Sequence, residues 1–311
     1  MRPKHPLLVL LLLSLLPAAT CGGSYRLAPS AQRTLLPAIE LPKGLRALEV
    51  QFHDGLLTVE AGTAPECLLE IQLLAEDQEG VDELAAAVAP EVQVSADGTR
   101  ASLSVALPNG ADLDAVRTNW RVQVPATVAV RAVTRRGAVV ARDLQGDLDV
   151  EGGSGIVEAD MRGGTPRLST SSGSLILRGD YPFAELVTRL GRVDVRLPEM
   201  RPAPVELLAQ TGKGDVYIDV CPDQVYDLFF RGDRRLVQCD PEVRVQWVQN
   251  VDLDGEDHVQ GRLGDLHGQA SGMVRLASEG PVYVRLRPEA VARSRPAAPR
   301  DDTAAHAPAG H

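Results

Sequence analysis

Aromatic side chains are scarce in this chain, with 4 Phe, 2 Trp and 5 Tyr among 311 residues. A wide globular core leans on large rings to fill its volume, so the scarcity, with abundant Val, Leu and Ala, suits a narrow interior of stacked aliphatic side chains. Basic residues are outnumbered, 32 against 42 acidic, for a net charge of −10. No basic run with interleaved aromatics occurs, which argues against a nucleic-acid partner. Long apolar runs are missing too. The longest, Leu7–Leu16, has Ser14 as its one polar residue and is about half the ~20 residues that span a bilayer. No phosphate-cradling Gly-Lys-Ser/Thr is present, and Ser169, Ser171 and Ser172 have no nearby histidine to act as base.

What the N-terminus does contain is a basic head, Arg2 and Lys4, before that apolar run, then Ala18, Ala19 and Thr20 leading to Cys21. This is the pattern of a secretory signal peptide over residues 1–20. Removing it leaves 30 basic residues against 42 acidic ones, a net charge of −12. Ala-Ala-Thr-Cys resembles a bacterial lipobox, departing from it at Thr20, where Gly, Ala or Ser is usual. The resemblance implies lipid attachment at Cys21, with acyl chains contributing ~0.8 kcal/mol per buried methylene to membrane anchoring. Gly22 follows with no aspartate there, which by resemblance to proteobacterial lipoproteins permits outer-membrane sorting. Ordinary cleavage nearby would leave Cys21 as a plain thiol. The expected location is the cell envelope, as an outer-membrane lipoprotein facing the periplasm or the cell surface.

Through the middle of the chain glycine recurs every nine residues: Gly137, Gly146, Gly155, Gly164, Gly173, then Pro182 in the sixth slot and Gly191 in the seventh. Two and four residues after most of these lie apolar side chains, as in Val157 and Ala159 or Leu175 and Leu177. A turn residue followed by a short alternating strand, repeated at fixed length, predicts an all-β, single-stranded β-solenoid. Nine extended residues cover only ~30 Å, too little to enclose a core and return, so two units must form one flattened coil. Residues eighteen apart should then stack. Leu148, Pro166 and Ala184 form one inward column and Val157, Leu175 and Val193 another. Outside, Asp149, Arg167 and Glu185 alternate in sign, as do Arg142, Asp160 and Arg178.

Around the repeat, residues 21–42 read as a linker and 43–136 as a mixed hairpin and short-helix N-terminal cap. Within the cap, His53-Asp54-Gly55 and Ala96-Asp97-Gly98 are hairpin signals, and Val81–Val88 reads as a short helix. The repeats are expected over 137–288, with an irregular insertion at 221–256 holding Phe229, Phe230 and Trp247. Residues 289–311 lack periodicity and read as a disordered tail. Cys221 and Cys239 lie two repeat units apart, a candidate disulfide if the period persists, while Cys67 reads as a buried apolar residue.

Several features together resemble the bacterial putative-adhesin domain family of unknown function, related to the head of auto-transporter adhesins. They are the early strand–Gly–strand of Leu48–Val59, Val124-Pro125 before Val128-Ala129-Val130, and Arg136-Gly137-Ala138-Val139-Val140. Thr170-Ser171-Ser172-Gly173-Ser174-Leu175 and Thr211-Gly212-Lys213-Gly214-Asp215-Val216 are similar to its recurring Thr-Ser-Ser-Gly-Asp-Ile unit. Over roughly residues 45–287 the resemblance implies an envelope β-solenoid and brings no catalytic residues. Calcium-binding nonapeptide rolls need Gly-Gly-x-Gly-x-Asp, but Gly152-Gly153-Ser154-Gly155-Ile156-Val157 has valine at the ligand position. Asp147, Asp149, Glu151, Glu158 and Asp160 are acidic and close in sequence, yet strand alternation puts the first three and last two on different walls. Asp257, His258 and His267, near Asp252, Asp254 and Asp265, have no standard metal spacing. The expectation is a non-enzymatic envelope lipoprotein, adhesin-like or scaffolding. It would bind a membrane through its lipid and a protein or glycan partner, with no metal, cofactor or nucleic acid. The alternative is a polysaccharide-active or polysaccharide-binding β-helix protein.

Overall fold

The computed structural model describes residues 31–108, 112–198, 204–221, 224–253, 256–263 and 270–287. The N-terminal part contains β1 (Ala31–Leu35), β2 (Ala38–Ile39), β3 (Ala47–Phe52), β4 (Gly55–Gly62) and β5 (Glu66–Ala75). Then come α1 (Gln78–Ala87), β6 (Ala89–Val94), β7 (Arg100–Ala106) and β8 (Val116–Pro125). The middle holds β9 (Ala129–Thr134), β10 (Ala138–Leu144), β11 (Leu148–Gly152) and β12 (Ile156–Met161). It continues through β13 (Pro166–Thr170), β14 (Ser174–Gly179), β15 (Phe183–Thr188) and β16 (Val193–Arg196). The C-terminal part begins with β17 (Val205–Thr211), β18 (Val216–Val220), β19 (Tyr226–Arg231) and β20 (Val237–Cys239). It ends with β21 (Val245–Leu253), β22 (Glu256–Leu263), β23 (Gly272–Ser278) and β24 (Val282–Leu286).

These strands form two large, mostly parallel sheets of twelve strands each. From β9 to β18 successive strands alternate between the sheets, so the chain crosses from one to the other at every turn. Through β16 the neighbours within a sheet are eighteen residues apart: Leu148 lies beside Pro166, Val150 beside Leu168, Val157 beside Leu175 and Leu175 beside Val193. The outward columns also fall as expected, with Asp149 beside Arg167 and Arg167 beside Glu185. Arg142 likewise neighbours Asp160, which neighbours Arg178. Alternate residues face inward, and Val157, Ala159, Leu175, Leu177, Val193 and Val195 are essentially inaccessible to solvent. Burial of this kind contributes ~25 cal/mol per Å² of apolar surface.

The corner where the chain passes from the second sheet, which holds β13, to the first, which holds β14, explains two features of the repeat. Its glycines lie under one another so tightly that a Cβ on Gly173 would sit 1.9 Å from the Gly155 carbonyl oxygen, and one on Gly191 2.0 Å from that of Gly173. Beside them runs a buried hydroxyl column: Thr134, Thr170, Thr188, Thr211 and Ser278. Thr170 donates to Gly173 O at 3.1 Å, Thr211 to Gly191 O at 3.0 Å and Ser278 to Gly280 O at 2.9 Å. The Thr-Ser-Ser-Gly unit is therefore a corner device. It satisfies carbonyls that a tight turn turns inward.

Three expectations are corrected. His53-Asp54-Gly55 closes no hairpin, because β3 and β4 lie in different sheets and the segment rounds a corner, with Gly55 at φ 123°. By contrast β6 and β7 do form an antiparallel hairpin, turning at Gly98 with φ 67°. Residues 31–39, expected in a linker, form β1 and β2, which pair antiparallel with β5. The short helix is present, its N-terminus capped by Asp77, which accepts from Gly80 N at 2.8 Å. Finally, the insertion expected at 221–256 is not irregular throughout: it falls between β18 and the β23 and β24 strands that rejoin β17 and β18, and its β21 pairs antiparallel with β22. β19 and β20 extend the two sheets, and β23 and β24 slot between them and β17 and β18. Among the described residues no helix is long and apolar enough to cross a membrane.

Candidate functional site

Of the acidic residues singled out from sequence, Asp149, Glu151, Glu158 and Asp160 belong to outer faces rich in ion pairs. Asp149 and Glu151 are on β11 in one sheet, Glu158 and Asp160 on β12 in the other. Arg131 meets Glu151 at 2.7 Å, Arg178 meets Glu158 at 3.3 Å and Arg142 meets Glu60 at 3.3 Å. Ser169 and Ser172 donate to the carbonyls of Val150 and Gly153 at 3.2 and 3.5 Å. Gly152, Gly153 and Gly155 serve the corner rather than an ion. Among the described residues no group of three or more His, Cys, Asp or Glu could hold a metal. Cys21, Asp254, Asp265 and His267 lie outside the described residues, as do the side chains of Asp252, Asp257 and His258.

Cys221 and Cys239 are not joined to each other. Spacing by eighteen does not place them on neighbouring strands here, because β24 intervenes. Val284 has Ile218 of β18 on one side and Cys239 of β20 on the other. Two strand spacings are roughly 9–10 Å, beyond the ~7 Å Cα reach of a disulfide. Cys67 is buried as expected, and that burial pushes its thiol pKa up to about 12.

A polar cluster that sequence reading did not single out lies on the outer face of β16, β18 and β24. Tyr217 and Tyr283 stack with ring centroids 4.7 Å apart and planes 15° apart. The Arg192 guanidinium covers Tyr217 at 4.0 Å, and Arg285 lies 4.8 Å from its centre. Arg285 also binds Asp219 at 2.7 Å and Asp194 at 3.4 Å. Burial raises the Asp219 carboxyl above its ordinary range, against the pull of Arg285. The rings stack along the direction in which strands succeed one another, so they stand on the sheet and present edges outward. Such a ladder locks adjacent strands together and offers hydroxyl, guanidinium and carboxylate groups at its rim. The signal was present in the sequence: Tyr217 and Tyr283 each stand three residues after a repeat glycine, Gly214 and Gly280. The loss of the nine-residue period between these units hides their shared column.

The chain matches no known protein-family model and no curated protein. It is similar to three solved structures among others. A "putative adhesin" from Bacteroides fragilis has 10% identity and a TM-score of 0.40, over 83% of this chain and 98% of that one. A "putative adhesin" from Parabacteroides merdae has 14% identity and a TM-score of 0.40, over 82% and 96%. A "putative cell adhesion protein" from Clostridium sporogenes has 11% identity and a TM-score of 0.33, over 83% and 100%. Likeness this distant carries no weight for activity, which must be argued from the chain's own residues.

Proposed function

We propose that this chain is an envelope β-solenoid, lipid-anchored at Cys21 in the outer membrane, that works without catalysis by presenting rigid faces to a protein or glycan partner. The eighteen-residue register through the middle supports the solenoid, and the basic head, apolar run and lipobox-like Cys21 support export and anchoring. The observation that carries the non-catalytic reading is that five outward carboxylates are occupied. Glu60, Glu151, Glu158, Asp194 and Asp219 are each held by an arginine. A carboxylate so held is a poor general base, because its lone pairs and its charge are already engaged. Radiolabelled palmitate should be incorporated into the expressed chain and lost on Cys21→Ala; unchanged labelling of that variant contradicts the anchor.

One observation favours a polysaccharide-active enzyme as a second reading. Asp194 and Asp219 share one Arg285 nitrogen, at 3.4 and 2.7 Å, so their oxygens are within about 6 Å, a spacing compatible with paired glycosidase carboxylates. Product analysis after incubation with envelope and plant polysaccharides separates the two readings. Bond cleavage abolished by Asp219→Asn would establish the enzyme.

A further inference from the structure

The corner from the second sheet to the first changes the sign of the protein's charge at its C-terminal end. Arg231, Arg234 and Arg235 stand there on the rung of β19, Lys213 on that of β17 and Arg189 on that of β15, opposed by Asp233 and by Glu279 on the intervening β23 rung. Lys213 N donates to Arg189 O at 2.8 Å, Thr211 neighbours Ser278, and Ala277 neighbours Arg231. The cations therefore span about three strand spacings, roughly 14 Å. Arg231, Arg234 and Arg235 line a cleft of 580 Å³ floored by Gln210, Thr211, Ala277 and Ser278, with Lys213 and Arg189 on the rungs beside it.

Asp233 offsets Arg235, which donates to both its oxygens, at 3.0 and 2.6 Å, and holds its carboxyl down to about 2. Arg189, Lys213 and Arg234 are exposed and make no ion pair with a described residue. That differs from Arg131, Arg142 and Arg178 on the sheet faces, each of which meets a glutamate. Three unpaired cations a few rungs apart, in a chain with an excess of acid, form a field that favours a multivalent anion. Among the described residues no aromatic side chain lines the cleft, which argues against stacking of nucleobases. Its Gln210 amide and Glu279 carboxylate suit sugar hydroxyls instead.

We propose that this cleft and the corner beside it bind a polyanionic saccharide, its acidic groups on Arg234, Lys213 and Arg189 and its hydroxyls against Gln210 and Glu279. The site deepens the partner-presenting reading and does not depend on lipidation. The test is calorimetric titration of the mature chain with oligogalacturonate, dextran sulfate and neutral dextran at low and high salt. The charged glycans should bind, dextran should not, and affinity should fall as salt rises. Replacing three exposed charges, Arg189→Gln with Lys213→Gln and Arg234→Gln, should weaken binding by roughly tenfold or more, with the thermal midpoint unchanged. Arg100→Gln with Arg121→Gln at the opposite end should change nothing. The proposal is overturned by equal binding of dextran, by no binding of either charged glycan, or by undiminished affinity in the triple variant. Equal, charge-dependent capture of anionic vesicles overturns it in favour of a lipid surface. Palmitate labelling is read separately, so failure of the cleft and failure of the anchor are told apart.

Discussion

The middle of the molecule and its C-terminal part are built from the same lateral contacts, yet only the middle keeps neighbours in space at fixed distance in sequence. Leu175 is eighteen residues from each of its lateral neighbours, Val157 and Val193. Beyond that point Val193 neighbours Val216, and Val216 neighbours Val282. The last two strands, β23 and β24, enter between pairs laid down earlier in the sequence. Matching inward columns therefore decide which strands stack, whereas loop length is nearly free, because each doubling of a flexible loop costs only ~0.6 kcal/mol of closure entropy.

If that is correct, the corner should be equally intolerant in both regions. Gly173→Val in the middle and Gly280→Val near the end each place a Cβ against the glycine carbonyl of the neighbouring rung, at 1.9 and 2.2 Å. Both should lose more than about 4 kcal/mol or fail to fold, measured by urea unfolding; a mild Gly280→Val would break the equivalence. Next in size is the hydroxyl column. Thr188→Val removes the donor that reaches the Gly173 carbonyl at 3.2 Å, and Ser278→Ala removes the one on Gly280. Each should cost about 1–3 kcal/mol, and a difference between them would show that the C-terminal corner is looser.

Smaller effects come from the outer faces. Asp219 has its carboxyl pKa raised in the folded state, chiefly by burial. The folded protein thus holds this proton more tightly than the unfolded chain, and wild type should gain stability over Asp219→Asn as pH falls from 7 through the folded pKa. Chemical denaturation of both proteins across that range checks the sign, and a relative loss on acidification contradicts it. Smallest is Arg178→Gln, which removes an exposed pair with Glu158 at 3.3 Å. It should shift stability by less than about 0.5 kcal/mol in the same unfolding assay.

The legible parts of the fold are those where period and burial agree. The columns headed by Leu148 and Val157 follow from counting eighteen residues, because the inward side chains find apolar partners there. The turn at Gly55 is ambiguous in sequence because Asp-Gly serves a corner as well as a hairpin, and only the distant partners of β3 and β4 distinguish the two. The strand exchange near β24 is invisible there, since Gly272 and Gly280 announce their strands without saying which rung they join. Of the candidate sites, the tyrosine ladder needs an alignment of units 66 residues apart, as the pairing of Tyr217 with Tyr283 shows. The basic cleft gathers residues from separate segments, and no local pattern joins them.

Disulfide trapping tests the winding of the chain most directly. Asp149 and Arg167 are neighbours on adjacent strands, about 4.8 Å apart and within disulfide reach, whereas Asp149 and Glu158 lie on different sheets. In a chain carrying Cys221→Ser and Cys239→Ser, Asp149→Cys with Arg167→Cys should oxidise to an intramolecular bridge seen by mass. Asp149→Cys with Glu158→Cys should remain two thiols. Bridging of the nine-residue pair, with the eighteen-residue pair left reduced, would contradict the coil of two strands per turn.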